Sequence, residues 1–84
     1  MENEPEYILD LHGKTTSECK FILDDIIESE DYEYIRIIIG RGLNSPNGPV
    51  LPYFIKNYLN SKDIKFNQSK KEHGGEGALE VFLK

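Results

Sequence analysis

The run Tyr34-Ile35-Arg36-Ile37-Ile38-Ile39 constrains the fold more than any other stretch. β-Branched side chains fit a pleated surface and lose rotamer freedom in a helix. A run this continuously apolar belongs to a strand central in a sheet and covered on at least one face. Upstream of it, Thr15-Thr16-Ser17-Glu18 offers a capping box, in which Thr15 and Glu18 satisfy each other's backbone N–H. Cys19, Ile22, Leu23, Ile26 and Ile27 then recur at i, i+3, i+4, i+7 and i+8, the spacing of one apolar helix face. Lys20, Asp24, Asp25 and Glu28 turn to water, and the helix ends around Ser29 to Asp31. Earlier still, Tyr7 to Leu11 reads as a first strand. A strand, a helix and a second strand over this distance imply a right-handed crossover between parallel neighbours.

The second half of the chain extends the pattern. Gly40 to Pro49 is a long loop of turn formers, and a second helix begins between Pro49 and Pro52, where proline is tolerated because first-turn N–H groups have no helical partner. Its core face is Leu51, Phe54, Ile55, Tyr58 and Leu59. Ile64 to Asn67 is a third strand, and Ser69 to Gly77 is too polar and glycine-rich for regular structure. Ala78 to Leu83 alternates as a last strand, antiparallel to the third. The order βαβαββ predicts an α/β fold of the α+β type, a two-layer sandwich in which two helices pack on a mixed four-stranded sheet. Residues 7–84 form one domain, and residues 1–6 a flexible acidic tail or the cut end of a linker.

Composition narrows the function classes. Cys19 is the only cysteine, which excludes an internal disulfide and a thiolate metal cluster and suits a reducing, cytoplasmic setting. No run of about eighteen apolar residues, the length of a membrane-spanning helix, occurs. The net charge of −5 is uneven, with −9 over residues 1–33 and +4 over residues 34–84. An acidic half and a basic half can fold into two faces, of which one meets phosphate. Neither helix carries an obvious second apolar face, so a monomer is expected.

Chemistry concentrates at loops that follow strands. Asp10 and His12, two apart at the end of the first strand, project from one face and pair an acid with an imidazole. An Asp before a turn can also simply bond the loop backbone. In parallel βαβ units ligands bind beyond the C-terminal strand ends, where Gly13 and Lys14 follow one strand and Gly40, Arg41 and Gly42 the other. Glycines let the backbone approach an anion and present N–H groups to it, and the arginine fork matches phosphate oxygens. Lys70, Lys71 and His73 extend a positive rim in the late glycine-rich loop. The sequence carries no P-loop, no dinucleotide fingerprint and no spaced set of metal ligands, so no cofactor or metal is expected.

Three stretches in this order, Leu9-Asp10-Leu11-His12-Gly13, Ile38-Ile39-Gly40-Arg41-Gly42 with Ser45-Pro46-Asn47-Gly48-Pro49-Val50-Leu51, and Gly74-Gly75-Glu76-Gly77-Ala78, resemble the Smr (small MutS-related) domain. That family is found at the end of MutS2 proteins and as stand-alone proteins. The resemblance covers Tyr7 to Lys84. It implies a fold like the C-terminal domain of bacterial translation initiation factor three, nucleic-acid binding and, in several members, nicking of DNA or cleavage of RNA on stalled ribosomes. It places the catalytic pair at Asp10 and His12, the basic glycine loop at Gly40, Arg41 and Gly42, and the late glycine motif at Gly74, Gly75 and Gly77. The chain departs from the family at Ile39, where His or Thr is common, and at Asn44, where a His is frequent. Both departures take a polar group from beside the site.

The leading expectation is a metal-independent endonuclease, with His12 as general base or acid, Asp10 orienting it, and Arg41 with loop N–H groups stabilising the phosphorane-like transition state. On RNA the 2′-hydroxyl serves as nucleophile; on DNA a water must be activated. The alternative is a non-catalytic module that recruits a larger protein to nucleic acid or to the ribosome. A third reading, a protein-binding module built on the acidic first helix, needs no nucleic acid.

Overall fold

The computed structural model describes residues 4–40 and 50–84. Its elements are β1 (Tyr7–Asp10), α1 (Thr16–Ser29), β2 (Tyr34–Ile38), α2 (Val50–Ser61), β3 (Lys65–Gln68) and β4 (Ala78–Phe82). The sheet order is β1-β2-β4-β3. β1 and β2 pair in parallel with Tyr7 opposite Ile35, and β4 is antiparallel to β2 and to β3. β1, β2 and β3 therefore run the same way, and both helices are crossovers between parallel strands. Two crossovers of one hand that step the same way across a sheet lie on the same face. The core agrees: Cys19 and Leu23 of α1 and Ile55, Tyr58 and Leu59 of α2 share one cluster with Ile35, Ile37, Leu79 and Val81. The predicted two-layer architecture is the one observed.

Local signals explain the elements. Thr15 and Glu18 form the capping box, with Glu18 N donating to Thr15 Oγ1 at 3.1 Å and Thr15 N to Glu18 Oε1 at 2.9 Å. Such a cap is worth about 1 kcal/mol. At its other end α1 closes on Glu30 in the left-handed conformation. α1 and α2 are also joined through a polar contact. The Tyr58 hydroxyl donates to Asp24, which takes a second bond from Lys20 Nζ at 2.8 Å. Asp24 is thus half-buried rather than simply turned to water. Burial and this bond to a carboxylate together push the Tyr58 phenol well above its ordinary range.

Alternation along β2 sends Ile35, Ile37 and Ile39 into the core and Tyr34, Arg36 and Ile38 to the opposite face. There Arg36 stands in register with Glu80 of β4, and its Nε reaches Glu80 Oε2 at 2.7 Å with both side chains about nine-tenths buried. The Tyr34 and Ser69 hydroxyls donate to the same carboxylate. Tyr34 also stacks on Phe82, with ring centroids 5.0 Å apart. Glu6 extends the edge of the sheet, its N–H donating to Tyr34 O at 2.8 Å and its carboxylate accepting from the N–H of Tyr34 at 3.0 Å.

The segment between β3 and β4, expected to lack regular structure, forms two successive 3-10 turns, Lys71–His73 and Gly75–Gly77. Lys70 O opens the first, accepting from His73 N at 2.8 Å and also from Gly75 N at 3.0 Å, and Gly74 O opens the second, accepting from Gly77 N at 3.0 Å. Gly74 makes the passage possible. Its φ is +121°, and a Cβ there would sit 2.8 Å from Ala78 Cβ.

Candidate nucleic-acid cleavage site

β1 ends beside β2, and Leu11 N donates to Ile38 O at 2.7 Å, carrying the pairing one residue past the strand. Leu9 and Leu11 are buried, so Asp10 and His12 face the other way, on the side of the sheet without helices. Asp10 Oδ1 accepts from the His12 backbone N–H at 3.1 Å and is bonded to ring Nδ1. An ionised carboxylate is an acceptor only, so Nδ1 carries the proton of that bond and Nε2 is left as the basic nitrogen. The side-chain bond from His12, then the backbone bond, holds the Asp10 carboxyl below the usual carboxylate range. Both side chains are open to solvent, His12 at 67% and Asp10 at 54%. The arrangement suits proton transfer at an exposed group: an imidazole oriented through Nδ1 and open to solvent.

Gly40 closes one side of it. Its φ is +74°, and a Cβ built on it would touch His12 Cβ at 3.5 Å, so the chain leaving β2 runs beside the root of the His12 side chain. The late glycine motif closes another. Gly77 O accepts from Ile39 N at 2.8 Å and from Gly40 N at 3.0 Å. Two of the three stretches singled out in the sequence thus meet the third through main-chain bonds. Gly13 and Lys14 follow at the mouth, Lys14 N donating to Leu11 O at 3.2 Å. Lys70, Lys71, His73 and Gly74 are exposed on the turns that Gly77 joins to the site, and Gly75 lies partly covered among them. Arg41, Gly42 and Asn44 lie outside the described residues.

The matching family model is the Smr domain, over residues 9–84. The chain belongs to the Smr family. It is 32% identical to an uncharacterised protein of Treponema pallidum (strain Nichols) over 95% of this chain and 42% of that protein. It is also 32% identical to the endonuclease MutS2 of Carboxydothermus hydrogenoformans, over 90% of this chain and 10% of that protein. The chain therefore spans less than half the length of the first relative and about a tenth of the second. Among solved structures, the Smr domain of Thermus thermophilus MutS2 superposes with a TM-score of 0.76 at 24% identity, covering 93% of this chain and 98% of that one. At that identity the likeness is one of fold.

Within this Smr domain the departure at Ile39 has a simple meaning. Its side chain is 3% exposed and belongs to the core cluster, so the apolar residue faces the helices and not the imidazole. The expected loss of a polar neighbour beside His12 does not follow from that position. What sequence reasoning missed is the buried quartet of Tyr34, Arg36, Ser69 and Glu80. Its signal was present: one arginine and one glutamate, each at the centre of an otherwise apolar strand, are unaffordable there unless they pair.

Proposed function

We propose that this Smr domain binds nucleic acid and cleaves its phosphodiester backbone at the Asp10–His12 pair. The observation that carries the reading is the bond between Asp10 and His12 Nδ1, which leaves Nε2 as the basic nitrogen of an exposed imidazole. Nε2 takes the proton of the attacking hydroxyl, which is the 2′-hydroxyl on RNA or a water on DNA. The new oxygen–phosphorus bond forms as the bond to the leaving oxygen breaks, and the imidazolium returns the proton to that oxygen. Asp10 holds the ring and stabilises its charged form. Arg41 and the N–H groups of its loop are assigned to the developing charge on phosphate, in keeping with the fork geometry of arginine. The name of the MutS2 relative, an endonuclease, supports the same reading.

The test is incubation of the domain with single-stranded RNA and with supercoiled DNA, with and without EDTA, beside His12→Ala. Cleavage that resists EDTA and falls by about 10²- to 10⁴-fold in the variant is the expected result. Unchanged cleavage removes His12 from the mechanism. Binding without cleavage, equal in both proteins, assigns the domain to recruitment instead.

A further inference from the structure

Ser69 is buried deeper than its partners in the quartet, at 4% exposure. It is the last residue before Lys70 and Lys71. Two bonds fix it to β4: its N–H donates to Ala78 O at 3.1 Å, and its hydroxyl donates to the Glu80 carboxylate. That carboxylate is itself held across the sheet by Arg36 and Tyr34 of β2. At the far end of the same segment, Gly77 O is held by Ile39 and Gly40, next to His12. Between these two anchors the path is held by main-chain bonds, among them those from His73 and Gly75 to Lys70 O and from Gly77 to Gly74 O. Ser69 therefore fixes the start of the segment from Lys70 to Gly77, as Gly77 fixes its end.

We propose that Ser69 and Glu80 are positioning residues for nucleic-acid binding, their hydrogen bond fixing where Lys71 and its neighbours meet a phosphate backbone. Neither residue touches the ligand. The inference rests on reading the Lys70–His73 segment as part of the binding surface. Removal of the Ser69 hydroxyl leaves Glu80 bonded to Arg36 and Tyr34, so the sheet keeps its central ion pair. Ser69 then loses its side-chain bond to β4 and keeps its backbone bond to Ala78 O. A lysine on a loosened segment must be ordered when it binds, and that entropy is lost from the affinity.

The probe is a fluorescein-labelled single-stranded oligoribonucleotide, titrated by anisotropy across a range of salt. Four proteins form a cycle: wild type, Ser69→Ala, Lys71→Ala and the double variant. In wild type, Lys71→Ala weakens binding and lowers the slope of log affinity against log salt by about one. In the Ser69→Ala background the same change costs at least about threefold less, and Ser69→Thr restores the wild-type penalty. A role confined to stability lowers the melting temperature and leaves the Lys71→Ala penalty equal in both backgrounds, which overturns the inference and leaves the binding surface intact. No penalty for Lys71→Ala in wild type removes the binding reading of this segment and the inference with it. If Ser69→Ala does not fold, Ser69→Cys, which keeps the shape with a far weaker donor, takes its place in the cycle.

Discussion

Two acid–base pairs lie on the helix-free face of this sheet, and their surroundings assign them opposite work. Asp10 and His12 sit at the end of β1 with more than half of each side chain in water, while Arg36 and Glu80 face each other across β2 and β4 at 13% and 12% exposure. In water an ion pair contributes little to stability, and its groups are reachable by a substrate. Between strands the same chemistry is closed to any ligand, and each charge depends on its partner. The comparison separates side chains open to solvent from those that keep the sheet in register beneath them.

The contrast is sharpest when one partner is removed. Glu80→Ala leaves the Arg36 guanidinium buried without its carboxylate, and should destabilise the fold by about 3–5 kcal/mol, read as a lowered urea midpoint at unchanged slope. A loss no larger than that of a surface substitution would break the comparison. Asp10→Asn should do the reverse. It replaces a carboxylate that can only accept with an uncharged amide that can also donate, so the tautomer of His12 is no longer fixed, and cleavage falls by about 10- to 100-fold while the urea midpoint stays where it was. Acid titration gives the smallest effect. Burial alone would raise the Glu80 carboxyl, but the bonds from Arg36, Ser69 and Tyr34 outweigh it and hold the group below the ordinary glutamate value of about 4.3. The stability it contributes is complete above that value and is lost as pH falls through the depressed one. Unfolding curves below about pH 4 should therefore show a loss that Glu80→Gln lacks, because the amide does not titrate there.

Much of this was legible in the chain. The period of two placed Asp10 and His12 on one face, the period of 3.6 gave both helix faces, and the Thr15–Glu18 spacing marked the start of α1. Strand pairing was harder. An alternating pattern says which face a side chain takes and not which strand lies beside it, so the insertion of β4 between β2 and β3 was not visible in Ala78–Phe82. Nor was the burial of Ser69, a small polar residue in a polar, glycine-rich run. The Arg36–Glu80 pair joins residues 44 apart, and only the folded sheet brings them into register. In the site, the approach of Gly40 to His12 followed from parallel neighbours, whereas the grip of Gly77 on Ile39 and Gly40 needed the order of the strands.

That order also has a consequence in time. Among the described residues β3 pairs with β4 alone, while β1 and β2 reach β3 only across it. A nascent chain that has delivered both helices and three strands still has no place in the sheet for β3. The strand that joins the two halves follows directly on Gly77, whose carbonyl joins the late glycine motif to the residues beside His12. A half-made domain therefore lacks the main-chain bonds from Ile39 and Gly40 to Gly77, and the last strand completes the sheet and the surroundings of His12 together.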